Sequence, residues 1–226
     1  MVNLASAEPD LYRKSVALVQ NDLEIAAKSG IAYVNTHLGS YGSHERFKGL
    51  ERVCKTVSEL ARSAKRGPML LLENSAGAGA LCGGTIEELG VIVKAVASKR
   101  IGICLDTAHL WASGYDISDR RGVAALLRLA DKHIGLGAIA VWHLNDTEVA
   151  LGARRDRHWH IGRGRIGEAG FASLLRSRLT SQACGICETP KPTEPGFSNL
   201  AVLRKLAGAR KAASSGRRNI GHSGAV

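Results

Sequence analysis

The sequence has no run of 18 or more apolar residues, so nothing in it reads as a membrane-spanning helix. It has no basic start followed by an apolar block within Met1–Asp10, so no secretory signal is visible. Its five cysteines (Cys54, Cys82, Cys104, Cys184, Cys187) are an odd number. Without a leader, that reads as reduced thiols in a cytosol-like compartment. Cys184-Gly-Ile-Cys187 is a CxxC with no second pair to complete a zinc knuckle. Because Cys187 falls in an apolar run, a buried strand thiol is the expectation there. A wholly disordered or fibrous chain is also excluded, since 45% of the residues are hydrophobic and 23% are charged. A length of 226 residues then allows one domain of ordinary size, or two small ones.

Acidic residues are scarce in two stretches. None occurs from Arg204 to Val226, where six basic residues sit among Ala, Gly and Ser. The first 203 residues carry 25 basic against 20 acidic residues, so this tail holds about half of the net charge of +11. Residues 207–226 are expected to be a disordered basic tail, either an arm for polyanions or a solubilising end. From Leu151 to Arg178, seven arginines stand against only Asp156 and Glu168.

Short apolar runs alternate with helical patterns. Strands are predicted at Ala32–Thr36, Met69–Leu72, Ile101–Leu105, Ala138–Trp142 and Ala183–Cys187. Helices are predicted at Leu11–Ser29, Arg46–Lys65, Thr85–Ala97, Arg120–Lys132, Gly167–Arg178 and Asn199–Ala209. Strands separated by helices of this length imply βα units on a parallel sheet.

The strand ends carry the functional signal. Each run ends in His, Glu or Asp: His37, Glu73, Asp106, His143 and Glu188. In parallel α/β folds that rim is where sites form. A single polar residue after a strand is commonplace, but five of five drawn from metal-ligand types is not. Asp106-Thr-Ala-His109 would set two donors side by side if a helical turn starts there. Asp156-Arg-His158 would present both donors on one side of an extended loop. His and carboxylate donors without Cys suit a hydrolytic metal site better than a structural one. His44 and His133 lie away from strand ends and read as surface residues, and His222 reads as inert. His160 is either a ligand or a nucleic-acid contact, and the contact is favoured. Asp146 reads as a helix cap or as a partner of a ligand histidine.

These residues resemble a known family. Asn35-Thr-His37-Leu-Gly-Ser40, Leu72-Glu73-Asn-Ser-Ala-Gly77, Leu105-Asp106-Thr-Ala-His109, Gly114-Tyr-Asp116, His143-Leu-Asn-Asp146, Arg155-Asp156-Arg-His158 and Glu188-Thr-Pro190 resemble the endonuclease IV family of zinc-dependent apurinic/apyrimidinic endonucleases. Their order and spacing are family-like from about Asn3 to Leu206. The resemblance implies a TIM barrel with a trinuclear zinc cluster at its C-terminal rim. It implies that Glu73 bridges two ions and that His37 binds the first. Asp106, His143 and Glu188 would complete the second, and His109, Asp156 and His158 would hold the third. Glu73 or Glu188, as a carboxylate on zinc, would also orient the attacking water. Arg154, Arg155, Arg157, His160, Arg163 and Arg165 would contact DNA. The implied reaction cleaves the phosphodiester 5′ to an abasic site and trims blocked 3′ ends. The implied protein is a cytoplasmic monomer acting on double-stranded DNA.

The chain departs from that family at its front. Only one helix precedes the strand ending at His37, where the family has three βα units and a further zinc-binding histidine. About five of eight barrel strands are therefore expected in residues 1–206, with two zinc ions rather than three. A misplaced start or a truncated gene would account for this. A chain truly this short is expected to be poorly soluble and weakly active or inactive. Leu38 stands where the family usually has Pro. Two other readings stay open: a non-catalytic remnant that binds DNA, and a metal-dependent sugar isomerase or epimerase on the same barrel.

Overall fold

A computed structural model describes residues 2–63, 67–191 and 193–208. Almost all of the basic tail expected at 207–226 lies outside the described residues.

Every predicted strand is present, and the five form one parallel sheet in chain order. They are β1 (Tyr33–Thr36), β2 (Met69–Glu73), β3 (Ile101–Asp106), β4 (Ile139–His143) and β5 (Cys184–Ile186). Strand order that follows chain order is the wall of a βα-barrel. Among the described residues the wall stays open: β1 and β5 are its edges and do not pair with each other.

The helices cover one face of the sheet. They are α1 (Pro9–Lys28), α2 (Arg46–Ser63), α3 (Ile86–Val96), α4 (Thr107–Ala112), α5 (Arg120–His133), α6 (Gly167–Arg176) and α7 (Asn199–Leu206). Their starts follow capping chemistry. The side chains of Thr85, Asp106, Asp119 and Ser198 accept backbone N–H groups two or three residues into α3, α4, α5 and α7. Proline stands in the first turn of α1, where its missing N–H has no intrahelical partner to lose.

The sheet separates two apolar clusters. The large one lies under the helices and includes Leu70, Leu72, Ile103, Leu105, Val53, Val57, Leu89, Leu126 and Phe171. The small one comprises Leu71, Cys104 and Val141, with Met69 and Ala140 against it. Leu70, Leu71 and Leu72 alternate between the faces, as side chains along a strand must. Truncating a wholly buried leucine such as Leu72 to Ala would cost about 2–5 kcal/mol.

The edges are weaker. All three residues of β5 are exposed. The expected buried strand thiol is therefore displaced: Cys187 lies one residue past β5, half-buried against the main cluster. Among the described residues no strand pairs with its outer side, so that flank stays exposed.

Candidate metal centre

Parallel register brings the strand-end donors to one rim. Asp106 pairs with His143, and Glu73 with Cys104 two residues before Asp106. Glu73 thus ends β2, Asp106 ends β3 and His143 ends β4, while His37 and Glu188 lie just past the edge strands.

His143 sits at the centre of this group. Its Nδ1 lies 2.9 Å from Glu188 Oε2, 3.0 Å from Glu73 Oε1 and 4.0 Å from Asp106 Oδ2. Glu73 is buried and reaches both ways. Its Oε2 lies 3.6 Å from His37 Nε2, and its Oε1 lies 3.6 Å from His109 Nδ1. One potential ligand atom from each of Glu73, Asp106, His143 and Glu188 fits within 4.8 Å of the others.

A second group lies beside the first. The helical turn expected after Asp106 is α4. Asp106 Oδ1 caps it by accepting from the His109 N–H at 2.8 Å. That turn fixes His109, whose Nε2 lies 3.3 Å from Asp156 Oδ1. The same Asp156 oxygen is 3.3 Å from His158 Nε2, which is 3.6 Å from Asp106 Oδ2. Asp106, His109 and His158 again offer ligand atoms within 4.8 Å. His37 is the outlying donor. Its side chain is 48% exposed, and Glu73 is its one ion-pair partner among the described residues.

Two observations fit this donor set to a metal. His109 Nε2 and His158 Nε2 are buried yet make no hydrogen bond, although carboxylate oxygens stand within 4 Å. Buried orphan nitrogens aimed at carboxylates are destabilising unless a cation joins them. Mixed imidazole and carboxylate donors are also the set that Zn²⁺ accepts at hydrolytic sites.

Protons stand in for that cation. Burial opposes charge on His109, but Asp156, Asp106 and Glu73 outweigh it and push its pKa up to about 9. Burial likewise opposes charge on His143, and Cys104, Glu188 and Glu73 push it up to about 12. Burial would raise Glu73, yet His143, His37 and His109 hold it below the usual carboxylate range. The hydrogen bond to His143 lowers Glu188, and His109 holds Asp156 down at about 2. Asp106 alone among these carboxylates is raised, because it is fully buried.

Asparagines and a threonine that the sequence reading did not single out orient the donors. Asn35 Nδ2 donates to Glu73 Oε2 at 2.6 Å, and Asn145 Nδ2 to Asp106 Oδ2 at 2.6 Å. Asn145 Oδ1 accepts from the Glu188 N–H at 2.8 Å. The Asn74 backbone oxygen lies 2.9 Å from His109 Nδ1, which leaves Nε2 free for a metal. Thr107 Oγ1 donates to the Asn145 carbonyl at 2.7 Å and so holds this loop. Their signal in the sequence was adjacency: Asn74 follows Glu73, and Asn145 is two past His143.

The basic loop divides. Arg154, Arg155 and Arg157 are exposed beside the donors Asp156 and His158. Arg154 holds a left-handed backbone (φ 53°), a strained state for a non-glycine residue. Arg165 is exposed, with its Nε 3.4 Å from the Glu148 carbonyl. Arg163 is committed elsewhere, in a paired contact with Glu194 at 2.6 and 2.8 Å and stacked over Phe197 at 3.9 Å. His160 does not sit as an open nucleic-acid contact. It is 7% exposed, beside Trp159 and Phe197, with Nδ1 3.3 Å from Asn199 Nδ2. His44 is exposed as expected, whereas His133 is half-buried against Gly90. Among the described residues no helix is long and apolar enough to cross a membrane.

With this geometry in hand, known proteins supply a family. The model of the xylose isomerase-like TIM barrel, the AP endonuclease 2 family, matches residues 1–212. "Probable endonuclease 4" of Natranaerobius thermophilus is 40% identical over 210 residues, covering 92% of this chain and 74% of that protein. The crystal structure of endonuclease IV from Thermus thermophilus superimposes with a TM-score of 0.77 at 38% identity, over 91% of this chain and 72% of that one. A D-tagatose 3-epimerase-like protein has a TM-score of 0.67 at 22% identity, over 91% of this chain and 70% of that one, and shares the fold alone. The chain spans about three-quarters of the length of these relatives, and by these matches it belongs to the endonuclease IV family of xylose isomerase-like TIM barrels.

Proposed function

We propose that this chain is a zinc-dependent endonuclease of base-excision repair. It would hydrolyse the phosphodiester 5′ to an abasic site in double-stranded DNA and trim blocked 3′ ends, acting as a monomer. The observation that carries this reading is the convergence of Glu73, Asp106, His143 and Glu188 within 4.8 Å, next to a second donor group sharing Asp106. Those four would hold one zinc ion. His109, Asp156 and His158 would hold another, so two ions per chain are expected. Bound zinc would supply a hydroxide at neutral pH and offset charge on the phosphate.

The rest falls to the chain's own side chains. Glu188, about half exposed at the edge of the cluster, stands where it can accept a proton from an attacking water. Glu73, buried and reaching both His37 and His143, would fix the spacing of the donors on either side. Arg154, Arg155 and Arg157 would take DNA phosphates. Arg165 would join them from the far end of the loop, while Arg163 contributes by anchoring that loop to Glu194. An abasic nucleotide has no base to unstack, so presenting it at the rim is cheap and favours that lesion.

A sugar epimerase would need a single metal-binding group. The second group and its arginine loop speak for a polyanion instead. The test is nicking of a duplex carrying one abasic site, with and without chelator, and with Glu188→Gln as control. Chelator-sensitive nicking on the 5′ side, lost in the variant, is expected. No nicking by zinc-reconstituted protein that still binds the duplex would leave the remnant reading, and turnover of a ketose without nicking would leave the epimerase.

A further inference from the structure

Gly162-Arg-Gly-Arg-Ile-Gly167 reads in the sequence like a phosphate-gripping loop: glycines for close approach, arginines for charge. Its backbone is already occupied by an anion from the protein itself. Asp146 is wholly buried three residues past His143, and its carboxylate collects five backbone amides. Oδ1 accepts from Thr147 N at 2.8 Å and Ile166 N at 3.0 Å. Oδ2 accepts from Gly162 N at 3.0 Å, Gly164 N at 3.1 Å and Gly167 N at 3.2 Å. Successive amides that close round one anion form a nest.

The glycines are explained by this contact. Gly162 and Gly167 have φ of 78° and 69°, which turn their N–H groups inward. At Gly164 a Cβ would stand 2.4 Å from Asp146 Oδ1 and 2.4 Å from the Thr147 carbonyl. The Asp146 backbone holds the same loop farther back, accepting from Trp159 N at 2.6 Å. Thr147 adds Oγ1 to the Arg157 carbonyl at 2.6 Å, and its own carbonyl accepts from Arg165 N at 2.7 Å. Two residues just past β4 thus hold the stretch that carries Asp156, His158 and the exposed arginines at several points, beside ties from Arg154 N to the Ala112 carbonyl at 2.9 Å and from Ile161 N to Asn199 Oδ1 at 2.8 Å.

We propose that Asp146 is a positioning residue. By gripping the loop's amides it sets the distance between the loop donors Asp156 and His158 and the strand donor Asp106, and holds the arginines over the rim. It touches neither metal nor DNA. The role in catalysis rests on the function proposed above, while the grip itself does not.

Asp146→Asn tests it. Whichever oxygen is replaced, an NH₂ group then faces at least two backbone N–H groups. Trypsin is expected to cut within 154–165 about tenfold faster than in the parent, matching the loss of a charge-assisted contact, while cleavage elsewhere keeps its parental rate. Zinc content is expected to fall from two ions to one per chain, with the ion at Glu73, Asp106, His143 and Glu188 retained. Gly164→Ala disturbs the same contact from the loop's side without removing charge. It should reproduce both changes, and the double variant should be no worse than Asp146→Asn alone. Unchanged loop cleavage with parental zinc, cleavage rising equally along the whole chain, or additive effects in the double variant would each overturn the proposal. None of these readouts uses DNA, so a parent that never nicks an abasic duplex sinks the proposed function and leaves this test intact.

Discussion

The middle of the sheet and its edges hold the same kinds of donor in opposite states. On β2, β3 and β4, Glu73, Asp106 and His143 are at most 5% exposed and tied by hydrogen bonds to neighbours. Past β1 and β5, His37 and Glu188 have side chains 48% and 47% exposed and stand at the open margins. Central strands receive hydrogen bonds and packing from both sides, so their ends are fixed to within a rotamer. Edge strands receive them from one side only. Chemistry that needs a rigid donor belongs in the middle, and a group that must meet water or DNA belongs at the margin.

The largest break in this comparison comes from the centre. Asp106→Ala removes the shared donor of both groups and the cap of α4. Nicking should fall by at least about 10²–10³-fold, a range typical of losing a preorganised group. Stability should drop by about 1 kcal/mol or more from the cap alone. Denaturant unfolding read beside the nicking assay checks both, and near-parental stability would show that α4 does not depend on its cap. Glu188→Gln, at the margin, should cut activity while moving stability by no more than about 0.5 kcal/mol. A large stability loss there would erase the contrast between centre and edge.

Asn145→Ala sharpens the comparison, because Asn145 links the two regions by bonding both Asp106 and the Glu188 backbone. Zinc affinity should weaken by about 10–100-fold, as removing a ligand's supporting partner commonly does. Competition with a chromophoric chelator measures this, and an affinity within experimental error of the parent would mean the donors orient themselves.

The smallest effect is a pH dependence of the metal-free protein. His109 has a folded pKa of about 9 against about 6.5 for a free imidazole. Its raised value stabilises the metal-free fold fully below about pH 6.5 and is lost as pH rises through about 9. Zinc must displace that proton, so zinc binding should release protons and tighten as pH rises toward 9. The melting-temperature gap between zinc-loaded and metal-free protein should therefore widen from pH 6 to pH 9. A gap that narrows would reverse the assignment of the proton.

Much of this is legible in the sequence. Short apolar runs set between helical patterns located all five strands, and the rim donors were visible because each run stops at a ligand type. The second donor group was legible through spacing, since Asp106 and His109 are three apart and Asp156 and His158 are two apart. What stayed hidden depends on long-range contact. Asn145 gives no local sign that it bonds residues 39 positions before it and 43 after it. His160 looked like its neighbour His158, and only Asn199, from α7, shows that it is packed inside. Arg163 looked free because Glu194 is 31 residues away. Asp146 is expected to cap a helix or support a histidine; it does bond the first N–H of α6, at Gly167, but that helix start is 21 residues downstream and four other amides share the carboxylate.

The small cluster of Leu71, Cys104 and Val141 gives the site its direction of traffic. These side chains are at most 2% exposed on the sheet face away from the helices, and they lie on the same strands as the donors, below the rim. They act as a stopper. The sheet therefore offers no passage beneath the donors, which are reached from the rim and from the side left open between β1 and β5. On the proposed function, a cut strand would leave across the same rim at which the next one arrives, so release and binding would compete there.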